Sequence, residues 1–276
     1  MKMFHICGHV LGIYAIRQKC HTRVAGQVRA PTLASVKEQN GIMPAMKHIT
    51  TIALDADDTL WGNEDIFVSA QHRYMQLLAP YRADWDAQEL YDTEQRNLAY
   101  FGYGIKGFTL SMIETAIQIT DGKVSGHDIG QIIAIAREMV HAPITLLPTV
   151  AETVAHWSTR YRLMVITKGD LFDQESKIAR SGLADYFRHV EVVSEKHPTS
   201  YERILRRYDI APQEFLMIGN SLRSDILPVL TIGAHAVHVP YHLTWQHEHV
   251  EVPLDQRHWH EFPTLGAVAQ WLAESV

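Results

Sequence analysis

Two closely spaced aspartates have the clearest chemical potential in this sequence. Asp55 and Asp57 lie in the segment LDADDTL, residues 54–60, directly after an apolar run. Alternate residues of a strand point to the same side, so both carboxylates would face one side wherever the strand persists. Carboxylates this close repel each other, and a bound cation is the usual way to keep both charged. With Mg²⁺, one carboxylate could attack phosphorus while the other transfers a proton; the alternative is an acidic turn without a catalytic role.

The segments that must position these carboxylates alternate between strand-like and helix-like patterns. Apolar residues recur at helical spacing throughout residues 65–145 and again between the later strands. Strands that alternate with helices favour right-handed crossovers and a parallel, doubly wound sheet, here with a helical insertion after the first strand. Short apolar and β-branched runs predict the strands at residues 49–54, 163–167, 190–193, 215–218 and 236–239.

The charge distribution divides the chain into two parts. The 276 residues have a formal net charge of -6, yet residues 1–45 carry six Lys and Arg residues and a single acid. This leader is predicted to be a dispensable extension, or a segment before a working start at Met46, and its resemblance to an organellar transit peptide gives the alternative. The predicted domains are a leader at 1–45 outside the fold, a core formed by 46–64 and 146–276, and a helical domain at 65–145.

Composition excludes several classes of protein. Hydrophobic residues make up 46% and charged residues 20%, the ordinary mix of a globular protein. The negative net charge disfavours a protein that binds nucleic acid by neutralising phosphates. No apolar run reaches the ~18 residues of a membrane span, and two cysteines are too few for a disulfide framework. These features predict a soluble cytoplasmic protein, with organellar targeting by the leader as the open alternative.

Four ordered motifs resemble those of the haloacid dehalogenase (HAD) superfamily. The first, DADDT at residues 55–59, resembles the signature Asp-x-Asp-x-Thr. The resemblance covers residues 47 to 250 and implies a HAD-like Rossmannoid core with an inserted helical cap domain. The later motifs are represented by Thr167, Lys168 and Gly169 for the second, Lys196 for the third, and GNSLRSD at residues 219–225 for the fourth.

The resemblance also implies a role for each motif residue. Asp55 would be the nucleophile and a Mg²⁺ ligand, and Asp57 would be the acid and base, with its backbone carbonyl on the metal. Thr59 would fix the position of Asp57, and Asp225 would complete the metal ligands. Asn220, where many relatives have Asp, and Ser221 would lie beside the metal ligands without binding the ion. The phosphate-binding residues would be Thr167, Lys168, Gly169 and Lys196.

These implied roles predict a Mg²⁺-dependent phosphatase that hydrolyses a small soluble phosphomonoester through an aspartyl-phosphate. Asp57 favours the phosphatase branch, because the dehalogenases of the superfamily lack this second acid. Capped phosphatases such as pyrimidine nucleotidases, flavin mononucleotide phosphatases and phosphoglycolate phosphatases are the most similar group. The predicted partner is a small phosphorylated metabolite, with no nucleic acid and no membrane. Two alternatives stay open: a catalytically weak binding protein, motivated by Asn220, and a phosphotransferase to an acceptor other than water.

Two weaker patterns have less specific interpretations. Residues 102–107 match Gly-x-Gly-x-x-Gly, but the match joins two predicted helices, whereas a dinucleotide site requires a strand before it. This loop is predicted to be either a plain helix connection or a segment that contacts the substrate through Tyr103, Lys106 and Phe108. The histidine-rich segment at residues 242–249 is predicted to be a solvated loop, with a metal site at His247 and His249 as the alternative.

Overall fold

A computed structural model of the chain describes residues 48–82, 84–248, 250 and 259–275. These residues form a six-stranded parallel sheet flanked by helices, with four helices inserted after the first strand. The predicted fold class, a doubly wound parallel sheet with an inserted helical cap, is confirmed. In the described part of the chain, no helix is both long enough and apolar enough to cross a membrane. The predicted leader, residues 1–45, lies outside the described residues.

The strand order is β3-β2-β1-β4-β5-β6, and every neighbouring pair is parallel. The chain moves outward from β1 to β3 and then adds β4 on the other side of β1. Ligands of open α/β sheets bind at the carboxyl ends of the strands, next to such a reversal. The strands are β1 Thr51–Leu54, β2 Arg162–Lys168, β3 His189–Val193, β4 Phe215–Gly219, β5 His235–His238 and β6 Trp259–Glu261.

Helices cover both faces of the sheet, and β1 is therefore buried on both sides. Ile52 and Leu54 pack in one apolar cluster with Trp157, while Ala53 packs in a second cluster with Tyr201. A strand buried on both faces reads as a continuous apolar run, which explains the pattern in the sequence. The helices outside the insertion are α5 Val150–Ser158, α6 Leu171–Arg180, α7 Pro198–Arg207, α8 Leu227–Thr231 and α9 Leu265–Ser275.

The inserted helices have an apolar cluster of their own. Tyr74 and Met112 are fully buried within it, and the Tyr74 hydroxyl donates a 2.7 Å hydrogen bond to the Met112 carbonyl oxygen. This cluster shares no residue with the two clusters of the sheet in the described part of the chain. The four helices are α1 Glu64–Leu78, α2 Ala87–Phe101, α3 Ile105–Ile119 and α4 Gly126–His141.

Candidate active site

The residues predicted to form the site follow four adjacent strands. Asp55 and Asp57 come after β1, Lys168 ends β2, Lys196 follows β3, and Asn220 follows β4. The carboxyl ends of these strands meet at one edge of the sheet, beneath the inserted helices, around a cavity of about 140 Å³. The predicted residues that line this cavity are Asp55, Asp57, Thr167, Lys168, Gly169, Lys196, Asn220, Ser221 and Asp225.

An ammonium group lies between two buried carboxylates at the base of the cavity. Nζ of Lys196 is 2.5 Å from Oδ1 of Asp55 and 2.6 Å from Oδ1 of Asp225. Burial raises the pKa of Asp55 to about 7; the charge of Lys196 opposes that rise and the charge of Asp225 adds to it. Burial alone would lower the pKa of Lys196, but the two carboxylates raise it above its ordinary value. Lys196 therefore stabilises two carboxylates that would otherwise repel each other.

The donor atoms at this position fit a Mg²⁺ ion. Asp55 and Asp225 offer carboxylate oxygens, which Mg²⁺ prefers, and the ion usually keeps several waters beside one or two carboxylates. Asp225 is 1% exposed at its side chain and Asp55 9%, so neither charge is screened by bulk water. Two ionised carboxylates exceed the single charge of Lys196, and a bound dication would offset the remainder.

The position of Asp225 depends on a glycine at the end of β4. Oδ2 of Asp225 accepts a 3.1 Å hydrogen bond from the backbone N–H of Ser221. A Cβ atom on Gly219 would lie 2.2 Å from that same oxygen, so any side chain there would displace the carboxylate. Gly219 thus allows Asp225 to fold back over the strand end, beside Lys196.

The carboxylate of Asp57 is held by three side chains. Nζ of Lys177 lies 3.0 and 3.1 Å from its two oxygens, Nε2 of Gln174 donates at 2.8 Å, and Nε1 of Trp61 donates at 2.8 Å. Burial tends to lower the pKa of Lys177, but Asp57 and Asp173 raise it above its ordinary value. Sequence reasoning missed Lys177 and Gln174; the one available signal was the i, i+4 pair of Asp173 and Lys177 at the start of α6.

The hydroxyl of Thr59, which was predicted to fix the position of Asp57, bonds to Asp55 and Asn220. Oγ1 of Thr59 lies 3.2 Å from Oδ2 of Asp55 and 3.3 Å from Oδ1 of Asn220, and Thr59 is buried beneath the cavity without lining it. The reason is the turn after β1, in which the N–H groups of Thr59 and Leu60 both bond to the Ala56 carbonyl oxygen. This turn directs the threonine hydroxyl back toward Asp55.

Asp58 connects the same turn to the inserted helices. Its φ of 60° is unusual for a residue other than glycine. The buried carboxylate accepts hydrogen bonds from the N–H groups of Asn63, at 2.7 Å, and Glu64, at 3.1 Å, and so caps the start of α1. Burial raises the pKa of Asp58 to about 7, although these N–H donors lower it. The N–H of Glu64 also lies 3.2 Å from Oδ2 of Asp58, so both oxygens have a backbone partner at the junction of the core and the inserted helices.

A carboxylate from the C-terminal segment occupies the other side of the cavity. Glu248 pairs with Lys168 and accepts hydrogen bonds from Ser221 and Ser224. Burial would raise the pKa of Glu248, but Lys168 and the two hydroxyls lower it to about 2. Glu248 was not predicted, because nothing in the local sequence distinguishes it from the solvated loop expected there. A phosphate group that binds Lys168 would compete with this carboxylate.

The glycine-rich loop between α2 and α3 contacts the core. The Tyr103 hydroxyl donates at 2.5 Å to Glu195, and Nζ of Lys168 lies 4.4 Å from the centre of the Tyr103 ring. Lys106 instead pairs with Asp170 at 3.0 Å, on the outside. Tyr103 and Phe108 line the cavity and Lys106 does not, so of the three predicted contacts two face the site.

The histidine-rich segment shows no metal site in the described residues. Nε2 of His242 lies 3.2 Å from Oδ1 of Asp65, on the surface. No group of three or more His, Cys, Asp or Glu side chains arranged to hold a metal is found in residues 48–82, 84–248, 250 and 259–275. His249 and the side chain of His247 lie outside the described residues, so the alternative of a metal site at these two residues stays a prediction.

Replacing Lys196 by Met should strongly destabilise the metal-free protein. The change leaves two buried carboxylates without their shared counter-ion, so we expect the free energy of unfolding to fall by about 3–5 kcal/mol. Denaturant unfolding in the presence of a chelator measures this loss. The matched control is Lys106→Met: Lys106 is 65% exposed in its pair with Asp170, and such surface pairs contribute about 0–1 kcal/mol. Equally small losses in both variants would contradict the role assigned to Lys196.

Comparison with protein families gives one match that covers most of the described chain. The model of the haloacid dehalogenase-like hydrolases matches residues 49–229. A solved haloacid dehalogenase-like hydrolase from Xanthomonas campestris is 41% identical, with a TM-score of 0.73, and the match covers 83% of this chain and 94% of that one.

Curated relatives share a single name. A glyceraldehyde 3-phosphate phosphatase of Pyrococcus abyssi is 36% identical over 86 residues, which are 29% of this chain and 36% of that protein. The corresponding Pyrococcus furiosus protein is 34% identical over the same proportions, so the match spans about a third of the length of either relative. The protein of that name from Methanothermobacter thermautotrophicus is 25% identical over 74% of this chain and 91% of its own length.

Proposed function

The chain belongs to the haloacid dehalogenase-like hydrolase family, and on that basis we propose that it is a Mg²⁺-dependent phosphatase acting on a small phosphomonoester through an aspartyl-phosphate. One observation carries the proposal: Asp55, Asp57, Lys196 and Asp225 converge on one cavity at the reversal point of the sheet. The two acids after β1 have separate partners, Lys196 for Asp55 and Lys177 for Asp57, which suits them to separate roles.

In the first step, a carboxylate oxygen of Asp55 attacks phosphorus and the bond from phosphorus to the leaving oxygen breaks. Asp57 donates a proton to that oxygen, so an alcohol leaves. Lys177 and Gln174 hold the Asp57 carboxyl group in one orientation. Lys196 lies beside the attacking carboxylate and offsets charge on the transferred phosphoryl group.

In the second step, water attacks the phosphorus of the aspartyl-phosphate, and Asp57 accepts its proton. The bond between phosphorus and the Asp55 oxygen breaks, which releases inorganic phosphate and restores both acids. Asp55, Asp225 and the backbone carbonyl of Asp57 would hold Mg²⁺, which when bound supplies positive charge beside the phosphoryl oxygens. Thr167, Lys168 and Gly169 would bind the phosphate group, and Lys168 would exchange Glu248 for a phosphate oxygen.

The size of the cavity supports a small substrate. Its volume of about 140 Å³ corresponds to roughly five water molecules at the ~30 Å³ that each occupies in the liquid. The relatives named glyceraldehyde 3-phosphate phosphatase make a three-carbon sugar phosphate the first compound to assay. We assign residues 65–145 to the cap because α1–α4 enclose a separate apolar cluster above this cavity.

Hydrolysis of an aryl phosphate should depend on the metal. We expect turnover with Mg²⁺, a loss of at least ~100-fold after treatment with a chelator, since charge stabilisation at the transferred group is removed, and recovery when Mg²⁺ is returned. Release of inorganic phosphate and of the phenol, with and without an added alcohol, distinguishes hydrolysis from transfer to another acceptor. An inactive protein that binds phosphate esters would instead support the binding-protein alternative.

A further inference from the structure

Glu94 differs from the other carboxylates of the cavity in its lack of an interaction partner. Glu94 lies on α2 and lines the cavity, yet in the part of the chain that the structure describes it makes no hydrogen bond and no ion pair. Burial raises the pKa of Glu94 to about 7, and burial is the sole cause. The other lining carboxylates all have an interaction partner: Asp55, Asp57, Asp58, Glu64, Asp173, Asp225 and Glu248.

An unpartnered, partly desolvated carboxylate is costly for a folded protein. The free energy of burying such a group is recovered when it pairs with a hydrogen-bond donor. Asn97, one turn further along α2, already donates to Ser111 at 3.2 Å and to Glu114 at 2.8 Å. The amide of Asn97 is thus occupied, and Glu94 is half-buried at the wall of the cavity, where a hydrogen-bond donor on a bound ligand would replace water as its partner.

The charges of the cavity wall restrict what that ligand can carry. The three lysines of the wall, Lys168, Lys177 and Lys196, all belong to the core and are each paired with a carboxylate. Among the described cap residues that line the cavity, none is Lys, Arg or His. A substrate with a second anionic group at its cap end would meet Glu94 and no basic side chain.

We infer that Glu94 selects the leaving group: it binds a hydrogen-bond donor, a hydroxyl or an ammonium, on the part of the phosphomonoester that enters the cap. Phe67, Leu98 and Phe108 line the same region and would contact the carbon skeleton. Phosphate esters of small polyols and amino alcohols are then preferred to esters whose leaving group carries a carboxylate. This inference rests on the proposed phosphatase activity and names its substrate class.

The experiment compares kcat/KM for glycerol phosphate, ethanolamine phosphate and phosphoglycolate in the wild type and in Glu94→Leu. The wild type should prefer the first two over phosphoglycolate by at least ~10-fold, and Glu94→Leu should reduce that preference by about 10–100-fold, mainly through KM, because a hydrogen bond to a charged group is lost. If kcat/KM of Glu94→Leu falls for ethanolamine phosphate alone, Glu94 pairs with the ammonium charge. If it falls for both ethanolamine phosphate and glycerol phosphate, Glu94 accepts a hydrogen bond from either donor. Because leucine removes an unpaired, half-buried carboxylate, the Tm of the variant should not fall.

The matched control is Asp92→Leu, an exposed acid on the same helix and outside the cavity, which should leave the substrate ratios unchanged. Unchanged ratios in Glu94→Leu, or a wild type that prefers phosphoglycolate, would overturn the role of Glu94. Hydrolysis of an aryl phosphate, whose ring offers no donor, is measured in parallel with the wild type. Its absence would overturn the proposed function itself, and with it this inference, so the two failures are distinguishable.

Discussion

Asp55→Asn should abolish turnover, with kcat reduced by about 10⁴-fold or more. The amide is nearly the same size as the carboxylate but cannot attack phosphorus, so no covalent intermediate forms. The rate of phosphate release from an aryl phosphate at saturating Mg²⁺ measures the loss. Acid-quenched samples made with ³²P-labelled substrate should show labelled protein for the wild type and none for the variant.

Controls for Asp55→Asn must separate chemistry from folding. Lys196 keeps its contact with Asp225 in this variant, so we expect the Tm to change little compared with that of Lys196→Met. Asp92→Asn, an exposed position on α2, serves as the matched acid-to-amide control and should retain wild-type activity. Retention of more than about a tenth of kcat by Asp55→Asn would rule out Asp55 as the nucleophile.

Asp57→Asn should lower kcat by about 10²–10⁴-fold, and the size of the loss should depend on the leaving group. An alkoxide needs a proton from Asp57 to leave, whereas an aryl oxide is stable enough to leave without one. The second step needs Asp57 as a base whatever the substrate. We therefore expect the first step to remain fast for an aryl phosphate while hydrolysis of the aspartyl-phosphate becomes slow.

Rapid mixing of Asp57→Asn with an aryl phosphate should then release about one equivalent of phenol per enzyme in a burst, followed by slow turnover. An alkyl phosphate should give no burst. Lys177→Met should be compared with Asp57→Asn. Lys177 contacts both Asp57 oxygens and acts by positioning that carboxyl group. Equal losses for alkyl and aryl substrates in Asp57→Asn, without a burst, would contradict the acid and base role.

The sequence predicted the part of the site that depends on strand ends. Asp55, Lys196 and Asp225 follow apolar runs that form β1, β3 and β4, and parallel strands bring such residues to one edge whatever the details of packing. By contrast, the partner of Thr59 depends on the exact turn after β1, which short patterns do not specify. For this reason the hydrogen bond from Thr59 to Asp55 was not predicted.

Contacts between residues far apart in the chain could not be predicted from local sequence patterns. Glu248 reaches Lys168 across 80 positions of the chain, and Lys177 reaches Asp57 across 120. The three-residue strand β6 was not predicted either, since it is too short to show a period. The unpartnered state of Glu94 could not be read from α2, because it reflects what the other elements do not place beside it.

The separation of the apolar clusters has a consequence for the catalytic cycle. The buried apolar clusters of the inserted helices and of the sheet are separate among the described residues, so tilting one part against the other would not divide either cluster. The links at the glycine-rich loop are a phenol-to-carboxylate bond at Glu195 and an ion pair at Asp170, both of which water can replace. Opening of the cavity between the two parts, to release product and admit substrate, would break these polar links at the loop and leave each apolar cluster intact.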